Sequence, residues 1–177
     1  VDLGLSVKWA TCNIGADSAW NGGSYFAWGE VEPRQWGDTK MDKYSVEYEF
    51  LTKYCTVAKH GYNGLVDDKI ILDAEDDAAT INWGGRWRMP TKEEFETLMS
   101  NVGGIETAGK MLKSKQGWEP CEHEFEHALQ EGNGIDKYGF NVLPAGLRGI
   151  GGDFGYAGIV ADFWSATDDD ESDAYLL

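Results

Sequence analysis

The chain has 177 residues and a formal net charge of -16, from 31 acidic against 15 basic side chains. Phosphate recognition needs clustered Lys and Arg, so this balance excludes DNA, RNA or an anionic membrane as the main partner. No apolar run approaches the ~18 residues of a membrane span, and a chain this long buries roughly 70% of its unfolded surface, enough for a core without metal or disulfide staples.

Leu3 to Ala10 places Leu3, Leu5, Val7 and Trp9 on alternate positions, which predicts a strand with one buried side. A polar, Gly-rich turn from Ala16 to Ser24 leads to a short aromatic strand, Tyr25 to Gly29. Glu30 to Tyr62 shows no clean period and reads as ordered loop with room for one short strand. Leu65 to Leu72 is a short apolar run inside acids. Leu72 to Ala79 opens a short helix, because Asp and Glu favour the positive N-terminal end.

Thr91 followed by Glu94 forms a capping box, and Phe95, Leu98, Met99 and Val102 follow at helical spacing. Asn101 and Gly103-Gly104 end that helix. Phe140 to Gly146 reads as a strand entering a turn. Gly149 to Gly158, five glycines in ten residues, reads as loop. Phe163 to Thr167 and Ala174 to Leu177 read as two strands of a hairpin joined by an acidic tip, Asp168 to Asp173. With 23 Gly, 8 Trp, 8 Tyr and 7 Phe, the composition favours short strands, tight turns and ordered loops over long helices, and disordered acidic chains are poor in aromatics. Cys12, Cys55 and Cys121 allow at most one internal disulfide. The start at Val1-Asp2-Leu3, without Met, reads as a processed or excised piece.

Several phrases carry a resemblance when taken together. They are Val1 to Leu5, Val7 to Ala16, Tyr25 to Glu30, Glu75 to Ala79, Trp83 to Thr91, Tyr138 to Phe140, Leu143 to Gly146 and Phe163 to Thr167. In this order they resemble the Fibrobacter succinogenes major paralogous domain, a family abundant in surface and secreted proteins of gut Bacteroidetes. Arg88 to Glu96 is also similar to a phrase of formylglycine-generating enzymes. The resemblance implies an α+β, C-type-lectin-like fold over residues 1–177 as a single domain, with small antiparallel sheets, one or two well-formed helices and long ordered loops. It also implies a relation to the variable proteins of diversity-generating retroelements, whose loop positions after the Leu-Pro-Ala-Gly phrase change to bind new ligands. Two departures stand out: residues 119–131 look like an inserted helical segment, and the family's closing strand is missing.

His123-Glu124-Phe125-Glu126-His127 matches the zincin motif, in which two His one turn apart bind zinc and the Glu is general base. But Cys121, Phe125, Ala128 and Leu129 form the apolar face, nearly opposite the His pair, so His123 and His127 are expected on a solvent-facing flank and are weak metal candidates. Formylglycine chemistry needs a late cysteine pair by resemblance, and no Cys follows Cys121. Asp67, Asp68, Asp73, Glu75, Asp76 and Asp77 read as a solvated turn or helix N-terminus. The hairpin-tip acids are the better calcium candidate, and calcium is the one cofactor entertained. Trp9, Trp28, Trp83, Trp87 and Trp164 are expected in the core, whereas Trp20, Trp36 and Trp118 lie in loops as candidates for sugar stacking or protein contact. Arg86 and Arg88 are expected to pair with the Glu75 to Asp77 segment.

The expected role is a non-catalytic, adhesin-like binding module at a bacterial surface or outside the cell, within a larger protein such as a lipoprotein. Its partner is expected to be a protein or glycan, without nucleic acid or membrane insertion. The candidate contacts are Asp153, Phe154, Tyr156 and Asp162 in the glycine-rich loop and Asp168, Asp169 and Asp170 at the hairpin tip, because rigid scaffolds carry recognition on loops. The alternatives are a zinc-dependent hydrolase using His123, Glu124 and His127, and a structural subunit whose last strand comes from a partner.

Overall fold

In the computed structural model, residues 1–35, 37, 38, 40, 42–44, 51–120, 132–149, 152–169 and 174–176 are described. Among them the chain mixes helices with short antiparallel strands. The helices are α1 (Ala78–Trp83), α2 (Lys92–Asn101) and α3 (Ile105–Leu112). The strands are β1 (Leu147–Arg148), β2 (Phe154–Gly155), β3 (Trp164–Asp168) and β4 (Ala174–Leu176).

The backbone gathers into two compact units. The first comprises Val1–Ser24, Glu96–Gly149 and Phe154–Asp162; the second comprises Tyr25–Phe95, Ile150–Asp153 and Phe163–Leu177.

Helix starts follow local chemistry. Asp77 caps α1 by accepting from Thr80 N at 2.8 Å. At α2 the capping box closes both ways: Thr91 N donates to Glu94 Oε2 at 2.9 Å and Glu94 N to Thr91 Oγ1 at 3.3 Å. Phe95, Leu98 and Val102 are buried along it, with Leu98 fully enclosed. Gly104 N then bonds Met99 O at 2.9 Å, and Gly104 O accepts from Ala108 N at 2.9 Å. One residue therefore ends α2 and begins α3, a third helix that the sequence reading does not contain.

In the first unit, Trp9, Leu98, Val102, Ala108, Leu112 and Trp118 are buried, and Trp9 meets Phe140 at 5.7 Å between ring centroids. The expected strand from Leu3 to Ala10 is absent. Its alternation survives as alternating burial, but Val1 and Trp9 bond each other's backbone and close the segment on itself as a loop. Phe140 to Gly146 likewise forms only single bridges, Lys113 with Val142 and Gly146 with Ala161. In the second unit, Tyr25 to Gly29 is reduced to one bridge, Tyr25 with Arg34.

The hairpin at the chain's end forms as expected, β3 antiparallel to β4 with Trp164 opposite Leu176 and Asp168 opposite Ala174. On the other side of β3, Ile71 bridges Thr167. The second unit's core joins Tyr54, Leu72 and Ala166 to the half-buried Trp28, Tyr44 and Met89. Gly29 is required there, since a Cβ would lie 2.4 Å from the Tyr44 ring.

Candidate functional site

The glycine-rich loop is not structureless. β1 and β2 pair antiparallel, Leu147 with Gly155 and Arg148 with Phe154. Three backbone bonds stitch the base of this hairpin: Gly146 N to Val160 O at 2.7 Å, Gly158 N to Pro144 O at 2.9 Å and Glu119 N to Gly158 O at 2.7 Å. Gly146 makes the close crossing possible; a Cβ there would sit 2.3 Å from Gly155 O.

Beyond the clamp the chain turns, with Ile159 N and Val160 N both donating to Tyr156 O at 3.0 Å. Tyr156 is 56% exposed and holds φ at 60°, a conformation that L side chains adopt at a cost. Phe154 is half-buried beside it in sequence, and Asp162 is exposed. Partial desolvation pushes the Asp162 carboxyl above its ordinary range.

Asp153, also exposed, is grouped with the second unit, as are Asp168 and Asp169. Asp168 donates its backbone N–H to Ile70 O at 2.9 Å. Asp169 is already engaged, with Lys92 Nζ 2.5 Å from its carboxylate. Asp170 lies outside the described residues, as do His123, Glu124, His127, Cys121 and Trp36. Cys12 and Cys55 are free thiols.

The acids at 73–76, named from the sequence as a cluster, meet lysine and tyrosine partners that sequence reasoning missed. Lys53 Nζ lies 2.6 Å from Asp73, 2.8 Å from Glu75 and 2.7 Å from Asp76. Asp76 also receives Lys43 at 2.7 Å and the Tyr54 hydroxyl at 2.7 Å, and Tyr54 Oη accepts from Asp73 N at 2.8 Å. Trp28, Tyr44 and Tyr54 stand edge to face around it, with centroids 4.9 to 6.1 Å apart.

Burial by itself would raise Asp76, but bonds from Lys43, Lys53 and Tyr54 outweigh it and hold the carboxyl at about 2. Burial and the bond to Asp76 push the Tyr54 hydroxyl up. Burial opposes the Lys53 charge, yet its bonds to Asp73, Asp76 and Glu75 win and raise it. Oxygens of Asp73, Glu75 and Asp76 lie within 4.8 Å of one another, a spacing that can hold a metal ion. Here the lysine ammonium takes that cationic place. The expectation of a solvated turn or helix N-terminus holds for the exposed Asp68 and Glu75 and for Asp77, which caps α1, but not for Asp76, which is buried, or Asp67, which binds inward, accepting from Tyr54 N and Cys55 N at 3.0 and 2.9 Å.

A signal for this cluster exists in the sequence. Lys-Tyr occurs at 43–44, 53–54 and 137–138, each ammonium over its neighbour's ring at 4.7, 5.1 and 5.2 Å from the centroid; the first two, close in sequence to the acid run at 67–77, are the ones that join it.

Other expectations are corrected. Arg88 forms a bidentate pair with Glu94, at 2.8 and 2.6 Å, rather than with Glu75 to Asp77, because both residues flank the α2 N-terminus. Arg86 is exposed. Trp118 is buried, its indole N–H bonded to Val142 O at 3.0 Å and Lys113 Nζ 4.0 Å over its ring; it is not a surface platform. Trp87, expected in the core, is 42% exposed and packs edge-on against Trp83 at 5.3 Å. Trp20 is 64% exposed, as a loop residue should be.

Among the described residues no helix is long and apolar enough to cross a membrane. No curated protein and no solved structure matches the chain significantly. The Fibrobacter succinogenes major domain model matches residues 21–176, from the turn before Tyr25 to the last residue of β4, and the chain belongs to that family.

Proposed function

We propose that this chain is a C-type-lectin-like, non-catalytic binding module, displayed at a bacterial surface and gripping a protein or glycan through its late loops. Phe154, Tyr156 and Asp162 form its first contact element. Asp153 and the hairpin-tip acids Asp168, Asp169 and Asp170, which belong to the second unit, are candidate contacts in their own right. Variation of these loops by a diversity-generating retroelement fits the same reading.

The observation that carries it is the clamped hairpin. Backbone bonds at Gly146, Gly158 and Glu119 fix the base, while Tyr156 projects with 56% of its surface exposed. Backbone bonds hold such a loop without help from an outward side chain such as Tyr156, which can then serve recognition. Tyr adds a rigid contact surface with few rotors to freeze.

The test is an array of bacterial and host glycans and proteins probed with the whole chain and with Tyr156→Ala. Capture of a ligand by the native chain, lost in the variant at unchanged melting temperature, is the expected result. Capture that survives Tyr156→Ala together with Asp162→Ala would move the site elsewhere.

A further inference from the structure

A second surface, next to the hairpin-tip residue Asp168, stands out in the chain segment beside β3. Ile70 O accepts from Asp168 N at 2.9 Å and Leu72 N donates to Ala166 O at 2.8 Å. These two bonds frame the antiparallel pair Ile71 with Thr167. In such a frame the N–H and C=O of the middle residue point the opposite way, outward from the sheet. Among the described residues nothing bonds the Ile71 backbone groups. The flanking side chains are apolar and open: Val66 is 44% exposed, Ile70 52% and Ile71 49%. Neighbouring strand positions face opposite sides, so Ile70 and Ile71 offer an apolar surface above and below one unpaired edge.

Proteins usually blunt such an edge with a charge that projects over it. The adjacent lysine does not serve that end, because Lys69 Nζ is drawn to Asp73 at 2.5 Å. What remains around the edge is acidic. In sequence, the exposed Asp68 precedes the edge and Glu75 follows it; the Glu75 side chain is 77% exposed and shares the single Lys53 ammonium with Asp73 and Asp76, so the balance stays negative.

We propose that the Ile70–Leu72 edge is a docking site for an extended segment of a partner protein, apolar in the middle and carrying lysine or arginine at its ends. The added strand exchanges backbone bonds with Ile71, lays apolar side chains on Ile70 and Ile71, and places its cations beside Asp68 and Glu75. A second copy of this chain fits worse. Pairing two edges about Ile71 sets Asp67 against Glu75 of the other copy, and each copy brings a net charge of -16.

The probe is a synthetic nonapeptide of alternating valine and threonine with two lysines at each end, titrated into the whole chain and followed by amide NMR. The expected result is a shift of the Ile71 amide and slowed exchange there, with binding that weakens as salt rises. Replacing Asp68 by Asn lowers affinity about two- to fivefold, the worth of one exposed ion pair. N-methylation of the peptide's central amide abolishes binding without touching the protein's fold. Equal binding by the N-methylated or glutamate-ended peptide, no Ile71 protection at millimolar peptide, or dimerisation of the chain alone through Ile71 would each overturn the proposal.

Discussion

Lys53 Nζ and the Tyr54 hydroxyl both lie 2.7 Å from Asp76 Oδ2, so two consecutive residues converge on one carboxylate oxygen some twenty positions away. The Asp76 side chain is 4% exposed and that of Lys53 17%, which makes the pair a buried one. Removing one member of a buried pair leaves an uncompensated charge and costs about 3–5 kcal/mol. Lys53→Met leaves Glu75 without its cation and the buried Asp76 with Lys43 alone, and Asp76→Asn takes from Lys43 its carboxylate and from Lys53 its most buried one. Each substitution is expected to lower unfolding free energy in urea by about 3 kcal/mol. A loss below about 1 kcal/mol in both would show that the cluster is not what holds the second unit together.

Acid should act through the same carboxylate. Asp76 titrates at about 2 in the folded chain against an ordinary 3.8. A depressed carboxyl stabilises the fold above its unfolded value and loses that contribution as pH falls toward its folded value. The urea midpoint is therefore expected to fall between pH 4 and 2, and Asp76→Asn is expected to flatten that part of the profile. At the other end, Tyr54 keeps its proton in the folded chain above the ordinary value of 10.0. Stability should fall again above pH 10, where the raised Lys53, Lys43 and Tyr44 act in the same direction, and Tyr54→Phe should make that limb shallower. A Tyr54→Phe profile with an unchanged alkaline limb would assign the loss to other groups.

The start of α2 gives a graded test. Thr91→Ala removes one side of the capping box and is expected to cost about 1 kcal/mol. Glu94→Ala removes the reciprocal bond and also the bidentate partner of Arg88, so it should cost more. Arg88→Lys keeps the charge but loses the fork and should fall between wild type and Glu94→Ala. Chemical denaturation of the three variants checks the order; equal losses would mean that the capping bonds carry nothing on their own.

How much of this was legible from the chain depends on the range of the interaction. The α2 start and the β3–β4 hairpin were readable because their signals are local: Thr91 and Glu94 are three apart, and aromatic and apolar runs flank an acidic tip. The Leu3 to Ala10 alternation reported which side chains turn inward but not whether a strand partner exists, and the chain uses Trp9 to close on Val1 instead. α3 was hidden by Gly103, Gly104 and Gly109, and by Ile105, an apolar residue 76% exposed at its first position. The Lys53 cluster depends on partners 20 to 23 positions apart, where no periodicity reaches. The clamp at Gly146 depends on Val160 and Gly155, so the glycine count showed a loop without showing that it is tied.

Trp118 and Trp20 separate loop position from burial. Both fall in turn-rich sequence, yet Trp118 is 7% exposed and Trp20 64%. Truncating a buried Trp costs about 3–5 kcal/mol, so Trp118→Ala is expected to unfold the chain at markedly lower urea. Trp20→Ala should stay within about 0.5 kcal/mol of wild type, as exposed substitutions do. Lys113→Met tests the ring contact separately: losing a cation 4.0 Å over the indole should cost about 1 kcal/mol. Equal stability losses for the two tryptophans would contradict the burial difference.

The late hairpin allows binding to be separated from folding within one loop. Tyr156 holds φ at 60°, which costs an L residue about 1 kcal/mol that glycine does not incur, and its ring is mostly in water. Tyr156→Gly should therefore leave the melting temperature unchanged or slightly raised while removing the ring needed for capture. Gly146→Ala should do the reverse at its root: the new Cβ meets Gly155 O at 2.3 Å, and φ at 83° is strained for any side chain. That variant should lose about 2 kcal/mol or more and shift the amide signals of Phe154 to Val160, reducing capture through a distorted loop. If Tyr156→Gly retains full capture while Gly146→Ala abolishes it, the hairpin matters for shape and another residue makes the contact. If both retain it, recognition lies outside this loop.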